Sequence, residues 1–306
     1  DVKSLKKAAR QNVVPELIKR ITQIIDTGLI ELKDDFKIYW NNNQIAKLVP
    51  GSDYLNPQIQ LTIDEMIENS EKSRLNSYLL QWINTKIETE LKSLIDLKNV
   101  KDNNSELRAL AYHLYENNGV VKRDEVLNYL NKLNQDERKK LRNLGVKFGR
   151  YHVFLHQLIK PEAVSLRTLL WKNFHQKFYN LKPPTFGLNF IDNKDLKNQN
   201  FMLLCGFEKF DAFFVRIDIL ERLFMLIINS NSKEKGDIKV VPEMLNLLGC
   251  SKENFKKLLT KMNYKVFDRY HEIYFKYNPI KKFKKVSIKK ASKENPFEVL
   301  KNLNLR

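Results

Sequence analysis

The residues whose types and spacing could do chemistry in this chain are lysines and arginines, and that chemistry is the gripping of phosphate. After Ser251, the residues Phe255, Leu258, Leu259 and Met262 form one apolar helical face. Lys252, Lys256, Lys257 and Lys261 are left on the opposite face. Such a helix can enter a groove while a following hairpin, carrying Lys265 and Arg269, touches phosphates. Arg138, Lys139, Lys140, Arg142, Lys147 and Arg150 make a corresponding set earlier in the chain. Lysine fixes position and not base identity, so the expected binding tolerates sequence and weakens steeply with salt. Lys281, Lys282, Lys284 and Lys285 open a third group, a lysine run of the kind found in flexible polyanion-binding tails. The competing reading of the first two sets is a solvated face on modules that pack only against protein.

Other chemistries find little support. A nucleotide-hydrolysing motor needs GxxxxGK[ST], whose backbone N–H groups surround the phosphates. None of the nine glycines is followed by Lys-Ser or Lys-Thr. Asp64-Glu65, Asp124-Glu125 and Asp136-Glu137 lack the His or Asp of a magnesium-binding DExH/D box. His152 and His156 are four apart but fall in strand-like sequence without an HExxH glutamate, so no metal site is expected. Cys205 and Cys250 stand in apolar contexts with no GxSxG turn anywhere, so no nucleophile is expected. No catalytic residue is therefore assigned.

Composition sets the class. Lys and Arg number 54 against 36 Asp and Glu, a net +18 that favours a polyanionic partner, although a spread of lysines can also be plain solvation. The excess is uneven, with nine Lys/Arg against two Asp/Glu over residues 281–306. At 306 residues and 42% hydrophobic content the chain has room for about two globular domains. No run approaches the ~18 apolar residues of a membrane helix, and two distant cysteines without CxxC spacing suit a reducing, cytoplasmic compartment. A start at Asp1 instead of Met reads as a piece of something longer.

The elements that must position these cations follow from periodicity. Lys3 to Asp26 reads as an amphipathic helix, with Pro15 breaking or kinking it and Gly28 just past its end. A β-meander follows, with Ile30 and Leu32, then Phe36, Ile38 and Trp40, then Ile45 and Leu48, then Ile59, Leu61 and Ile63. Tyr39 or Trp40 could stack on a base, though cross-strand packing is the commoner use. Glu71 to Leu97 carries an apolar stripe at four-residue spacing and predicts one long helix. Ser105 is placed as the cap of the next helix, Asp124 as the cap of a second through Leu133, and Asn134 as the cap of a third. Val146 to Leu155 alternates around Gly149-Arg150 as a hairpin. Lys160-Pro161 then opens a helix whose apolar face holds Leu166, Leu169 and Leu170, with Arg167 off it. Phe201 to Val215 reads as strand around Gly206. Asp218 caps a helix, Pro242 opens a short one, Ser251 caps another, and two strands flank Asp268-Arg269. Helix, short strand, helix, helix and hairpin thus occur twice, which is the order of a winged helix. Lys139-Lys140-Leu141 parallels Lys256-Lys257-Leu258, and Phe148 to His152 parallels Phe267 to His271, so duplication and chance both stay open.

Gly145-Val146-Lys147-Phe148-Gly149, Val153-Phe154-Leu155, Leu158-Ile159-Lys160-Pro161, Leu166-Arg167 and Leu169-Leu170-Trp171 carry a resemblance. This block resembles the C-terminal region of bacterial helicase-related proteins, relatives of the mitochondrial degradosome RNA helicase with its superfamily-two DExH-type motor. The likeness runs from about Leu17 to Asn295-Pro296-Phe297, and departs at His156, where that family is expected to carry proline. The resemblance implies a motor that lies N-terminal to Asp1 and uses ATP and magnesium. It also favours RNA slightly over DNA.

These readings give an α+β, mainly helical chain with a small antiparallel β-meander, two winged-helix-like modules and a basic tail. The expected divisions are 1–98, 99–181, 182–278 and 279–306. The expected function is an accessory nucleic-acid-binding region of an ATP-dependent helicase, needing no cofactor of its own. Its partners would be RNA or DNA, the motor domains of the same chain and a protein docked at Pro296 to Leu300, with no membrane. The alternatives are a non-catalytic scaffold for a nuclease or other partner and a free-standing DNA-binding regulator.

Overall fold

A computed structural model describes residues 2–62, 67–192, 198–210, 213–231 and 236–278, with side chains described from Val13 onward apart from residue 231. Ile63, the lysine tail and Pro296 to Leu300 lie outside the described residues. The chain is a mixture of helices and small antiparallel sheets, with helical residues in the majority. No helix among the described residues is long and apolar enough to cross a membrane.

The first helix, α1 (Val2–Thr27), runs through Pro15 without ending there, and Gly28 closes it at φ +64. Strands β1 (Ile30–Leu32), β2 (Lys37–Trp40), β3 (Asn43–Val49) and β4 (Gln58–Leu61) pair antiparallel in sequence order. Asn41 and Asn42 form the β2–β3 turn at positive φ, a conformation asparagine tolerates. Trp40 donates to the Thr27 hydroxyl at 3.1 Å and packs against the core, and the Tyr39 hydroxyl donates to Asp35. Both aromatics thus have partners within the fold.

The expected long helix is two, α2 (Asn69–Glu90) and α3 (Lys92–Lys98), interrupted at buried Leu91. Leu91 leaves helical geometry at φ −110, ψ 19, while Leu75, Leu79, Ile83, Ile87, Leu91 and Leu94 all stay in the core. The stripe survives because a tight turn at Leu91 keeps both helices against the same apolar cluster.

The first helix–strand–helix–hairpin unit comprises α4 (Ser105–Glu116), β5 (Val120–Lys122), α5 (Leu127–Leu130), α6 (Gln135–Asn143), β6 (Val146–Phe148) and β7 (His152–Leu155). Its sheet order is β5-β7-β6. Asn104, not Ser105, caps α4, since its side chain accepts from the Leu107 N–H. Asn104 also donates to Glu137, the acidic member of the Asn134 capping box that starts α6. Two helix starts are thus tied together, and the cation-bearing α6 is fixed by its own sequence. The helix expected from Asp124 is a 3-10 turn over Arg123–Val126 followed by the single turn of α5. A 3-10 turn at His156–Ile159 leads into α7 (Pro161–His175), with Pro161 in its first turn as expected.

Arg167 on α7 corrects the sequence reading, for it is 0% exposed. Its guanidinium donates to the carbonyls of Asn118 (2.8 Å), Leu158 (3.0 Å) and Leu204. Burial pulls its pKa down. No described carboxylate pairs with it, so three carbonyl dipoles from separate segments hold the charge.

The Phe-rich stretch expected as strand begins as a helix. After β8 (Phe190–Asp192), Asn198 caps the short α8 (Gln199–Leu204). Gly206 then turns at φ +84 into β9 (Phe207–Phe210), which with β10 (Phe213–Arg216) makes the sheet β8-β10-β9. A helix this short shows too little periodicity to be read among so many phenylalanines.

The second unit repeats the order with α9 (Ile217–Asn231), β11 (Ile238–Lys239), α10 (Pro242–Leu248), α11 (Lys252–Lys261), β12 (Tyr264–Arg269) and β13 (Glu272–Tyr277). Its sheet order, β11-β13-β12, matches that of the first unit. Gly249 ends α10 at φ +65 and Ser251 caps α11. Asp218 lies inside the first turn of α9 and forks with Arg216 at 2.7 and 3.0 Å. Most of the buried side chains of this unit form their own cluster, whereas a single cluster runs from Ile21 to Leu170.

Candidate nucleic-acid interface

In the first unit, Leu141 is buried and turns the rest of α6 outward. Lys139, Lys140 and Arg142 on α6, Lys147 on β6 and Arg150 in the turn are all exposed. They are not equally available. Lys140 is held by Asp102 at 2.7 Å, and the Arg142 guanidinium stands 5.7 Å from the Phe148 ring centre. Arg138 turns inward and donates to the Leu130 carbonyl. Lys139 and Lys147 meet no carboxylate among the described residues.

In the second unit, Phe255, Leu258 and Leu259 bury one face of α11. Lys252, Lys257 and Lys261 are exposed on the other. Lys256 is paired with Asp268 at 2.9 Å, which ties α11 to β12. Lys265 is exposed and lies directly across the ladder from Lys276. Arg269 reaches Asp237 at 3.4 Å and stands over the Phe267 and Tyr274 rings at 5.3 and 5.5 Å. Among the described residues, Lys252, Lys257, Lys265 and Lys276 make no ion pair. The second hairpin turns at Tyr270 and His271, both at positive φ, and not at Asp268-Arg269, which extend β12. The parallel with the first hairpin therefore ends at the strand tips: His152 is buried and His271 exposed.

The engagement of the first hairpin has no local sequence signal. Glu221 on α9 accepts from the backbone N–H groups of Arg150, Tyr151 (2.8 Å) and His152 (2.9 Å). A Cβ at Gly149 would come within 2.3 Å of the Glu221 carboxyl, which would have to shift to admit any other residue. The His152 ring lies between two carboxylates, 3.2 Å from Glu208 and 3.7 Å from Glu221, and Lys122 closes the row at 3.0 Å from Glu208. Tyr151 packs edge-on against Phe224 of α9. The turn of the first unit is thus seated on the second. Glu208 and Glu221 are 56 and 69 residues from His152, which is why no local motif revealed them.

The electrostatics of this junction set a pH window. Burial works against a charged His152, but Glu208 and Glu221 outweigh it and raise its pKa above the usual 6.5. Burial also opposes charge on the two glutamates, but His152 and, for Glu221, the backbone N–H groups win and lower both below 4.5. The histidine contribution is complete below pH 6.5 and fades as pH rises through the raised value. The glutamate contributions are complete above pH 4.5 and fade as pH falls through the lowered values. Stability against urea should therefore be broadest between those limits, and a His152→Gln variant should lose the decline on the alkaline side. A pH profile of the unfolding midpoint, unchanged by that substitution, would contradict this assignment.

Nucleophilic chemistry finds no support here. Burial pushes the Cys205 thiol up to about 12 and the Cys250 thiol to about 11. Among the described residues no group of three or more His, Cys, Asp or Glu is arranged to hold a metal ion. What the arrangement offers is a set of exposed cations on two rigid helix-plus-hairpin supports. No family model, curated protein or solved structure matches this chain.

Proposed function

We propose that this chain is an accessory, nucleic-acid-gripping region of an ATP-driven helicase, built around two winged-helix-like modules. The observation that carries the reading is the set Lys139, Lys147, Lys252, Lys257, Lys265 and Lys276, each exposed and without a carboxylate partner among the described residues. Lys140, Lys256 and Arg269 of the same units are instead tied to carboxylates. Unmatched cations on the second helix and hairpin of such a unit are positioned for phosphates. The resemblance of the Gly145 to Trp171 block supplies the helicase context and the preference for RNA. ATP and magnesium belong to the motor, and no residue of this chain is assigned to them.

A titration of the full chain with a labelled single-stranded RNA 12-mer, followed by anisotropy, tests the reading. Affinity should fall at least about tenfold between roughly 50 and 200 mM salt. Absence of binding at low salt would favour the second reading, a protein-docking scaffold. That reading has its own observation, the exposed Met225 and Ile228 one turn apart on α9.

A further inference from the structure

Three features set the second hairpin apart, and all three concern its outward side. Inward-facing Tyr264, Ile273 and Phe275 are buried, so the alternate residues Lys265, Phe267 and Arg269 on β12 and Glu272, Tyr274 and Lys276 on β13 face outward. First, Lys265 and Lys276 are direct cross-strand partners, and like charges so placed repel. Second, Phe267 and Tyr274 are partners in the same ladder, with their rings stacked at 6.2 Å and 14°, yet both remain partly exposed. Third, the tip is made by Tyr270 at φ +53 and His271 at φ +61, where asparagine and glycine are the ordinary residues. Tyr270 is 87% exposed. The helices α9, α10 and α11 contribute to the buried cluster on the inward side.

The lysine pair and the positive-φ tip cost something, the aromatic pair stabilises the ladder, and one ligand chemistry uses all three. A phosphate between Lys265 and Lys276 relieves their repulsion. A flat base continues the Phe267–Tyr274 stack, over which the Arg269 guanidinium already supplies another planar surface. An exposed tyrosine at the tip offers a further ring to the next base. The carboxylates at this face, Glu272 and Asp237, are matched by Lys239 at 2.5 Å and by Arg269 at 3.4 Å, and leave the lysine pair unopposed. Duplex nucleic acid hides its base faces, so the ligand this surface fits is single-stranded.

We propose that the outward face of the β11-β13-β12 sheet is a stacking platform for single-stranded nucleic acid, with Phe267, Tyr274 and Tyr270 contacting bases and Lys265 and Lys276 contacting phosphate. The proposal rests on the nucleic-acid reading above and adds where and how bases are held. It is tested with the full chain and three labelled 12-mers: uridine RNA, the matching deoxyuridine DNA, and an abasic deoxyribose-phosphate strand of equal charge. The base-bearing strands should bind at least about tenfold tighter than the abasic one. A Phe267→Leu/Tyr274→Leu variant should erase that difference while keeping the abasic affinity. RNA above DNA would point to contacts with the 2′-hydroxyl, and equal affinity to stacking alone. Equal binding of abasic and base-bearing strands overturns the platform but leaves the phosphate-gripping reading intact. No binding of any strand overturns both. Because the double variant can lose its fold, photo-cross-linking of wild-type protein to 5-iodouridine RNA gives a second measurement. Cross-links at Phe267, Tyr270 or Tyr274 are expected, and cross-links confined to other regions contradict the proposal.

Discussion

An Arg167→Met variant is expected to lose about 3 kcal/mol of unfolding free energy or more, read from the urea midpoint. The wild-type guanidinium serves three carbonyls that end or follow separate segments: Asn118 after α4, Leu158 in the 3-10 turn and Leu204 at the end of α8. Hydrogen bonds from a charged donor are worth about 1.5–3 kcal/mol each, and their loss leaves buried acceptors unsatisfied. Part of that is returned, because methionine needs no desolvation whereas a buried guanidinium does. An Arg167→Lys variant should be intermediate, since one ammonium cannot reproduce the planar fork that spans three acceptors. A change within about 0.5 kcal/mol, typical of surface positions, would show that the clamp contributes little.

The second large effect is expected at Glu221. A Glu221→Ala variant removes the acceptor for three backbone N–H groups and one of the two carboxylates around His152. The expected cost is about 2–3 kcal/mol, reduced from the fully buried case because water still reaches part of the carboxylate. The consequence is structural as well as energetic, because the first hairpin then keeps only ring contacts with Phe224 on α9. Trypsin should cleave after Arg150 markedly faster in the variant than in the wild type. Equal cleavage rates and an unchanged midpoint would mean that the two units are held together by other contacts.

Much of the fold was legible because periodicity and capping are local. The Leu75 to Leu94 stripe, the Asn134 box, Pro161, Gly249 and Ser251 each report on residues within a turn or two of themselves. The break at Leu91 was not legible, since leucine is a good helix former and only packing places it there. Charge suggests solvent for Arg167, and the three acceptors that bury it are 9, 37 and 49 residues away. Aspartate is a familiar turn residue and points to Asp268-Arg269, while Tyr270 and His271 carry no such signal. The cations themselves were readable one by one. Their availability was not, because it depends on Asp102, Asp237 and Asp268, partners that no local pattern links to them. No motif singles out Lys276, Phe267 and Tyr274 as a site, though period-two alternation along β12 and β13 places them on one face with Lys265.

The central question is whether the unpaired lysines of the second unit hold phosphates. The most direct measurement compares the salt dependence of single-stranded RNA binding for the full chain and for a Lys252→Ala/Lys257→Ala/Lys265→Ala variant. Removing three phosphate contacts should reduce the slope of log affinity against log salt by about 2, with weaker binding at low salt. An identical slope and affinity in the two proteins would show that the grip lies elsewhere and contradict the account.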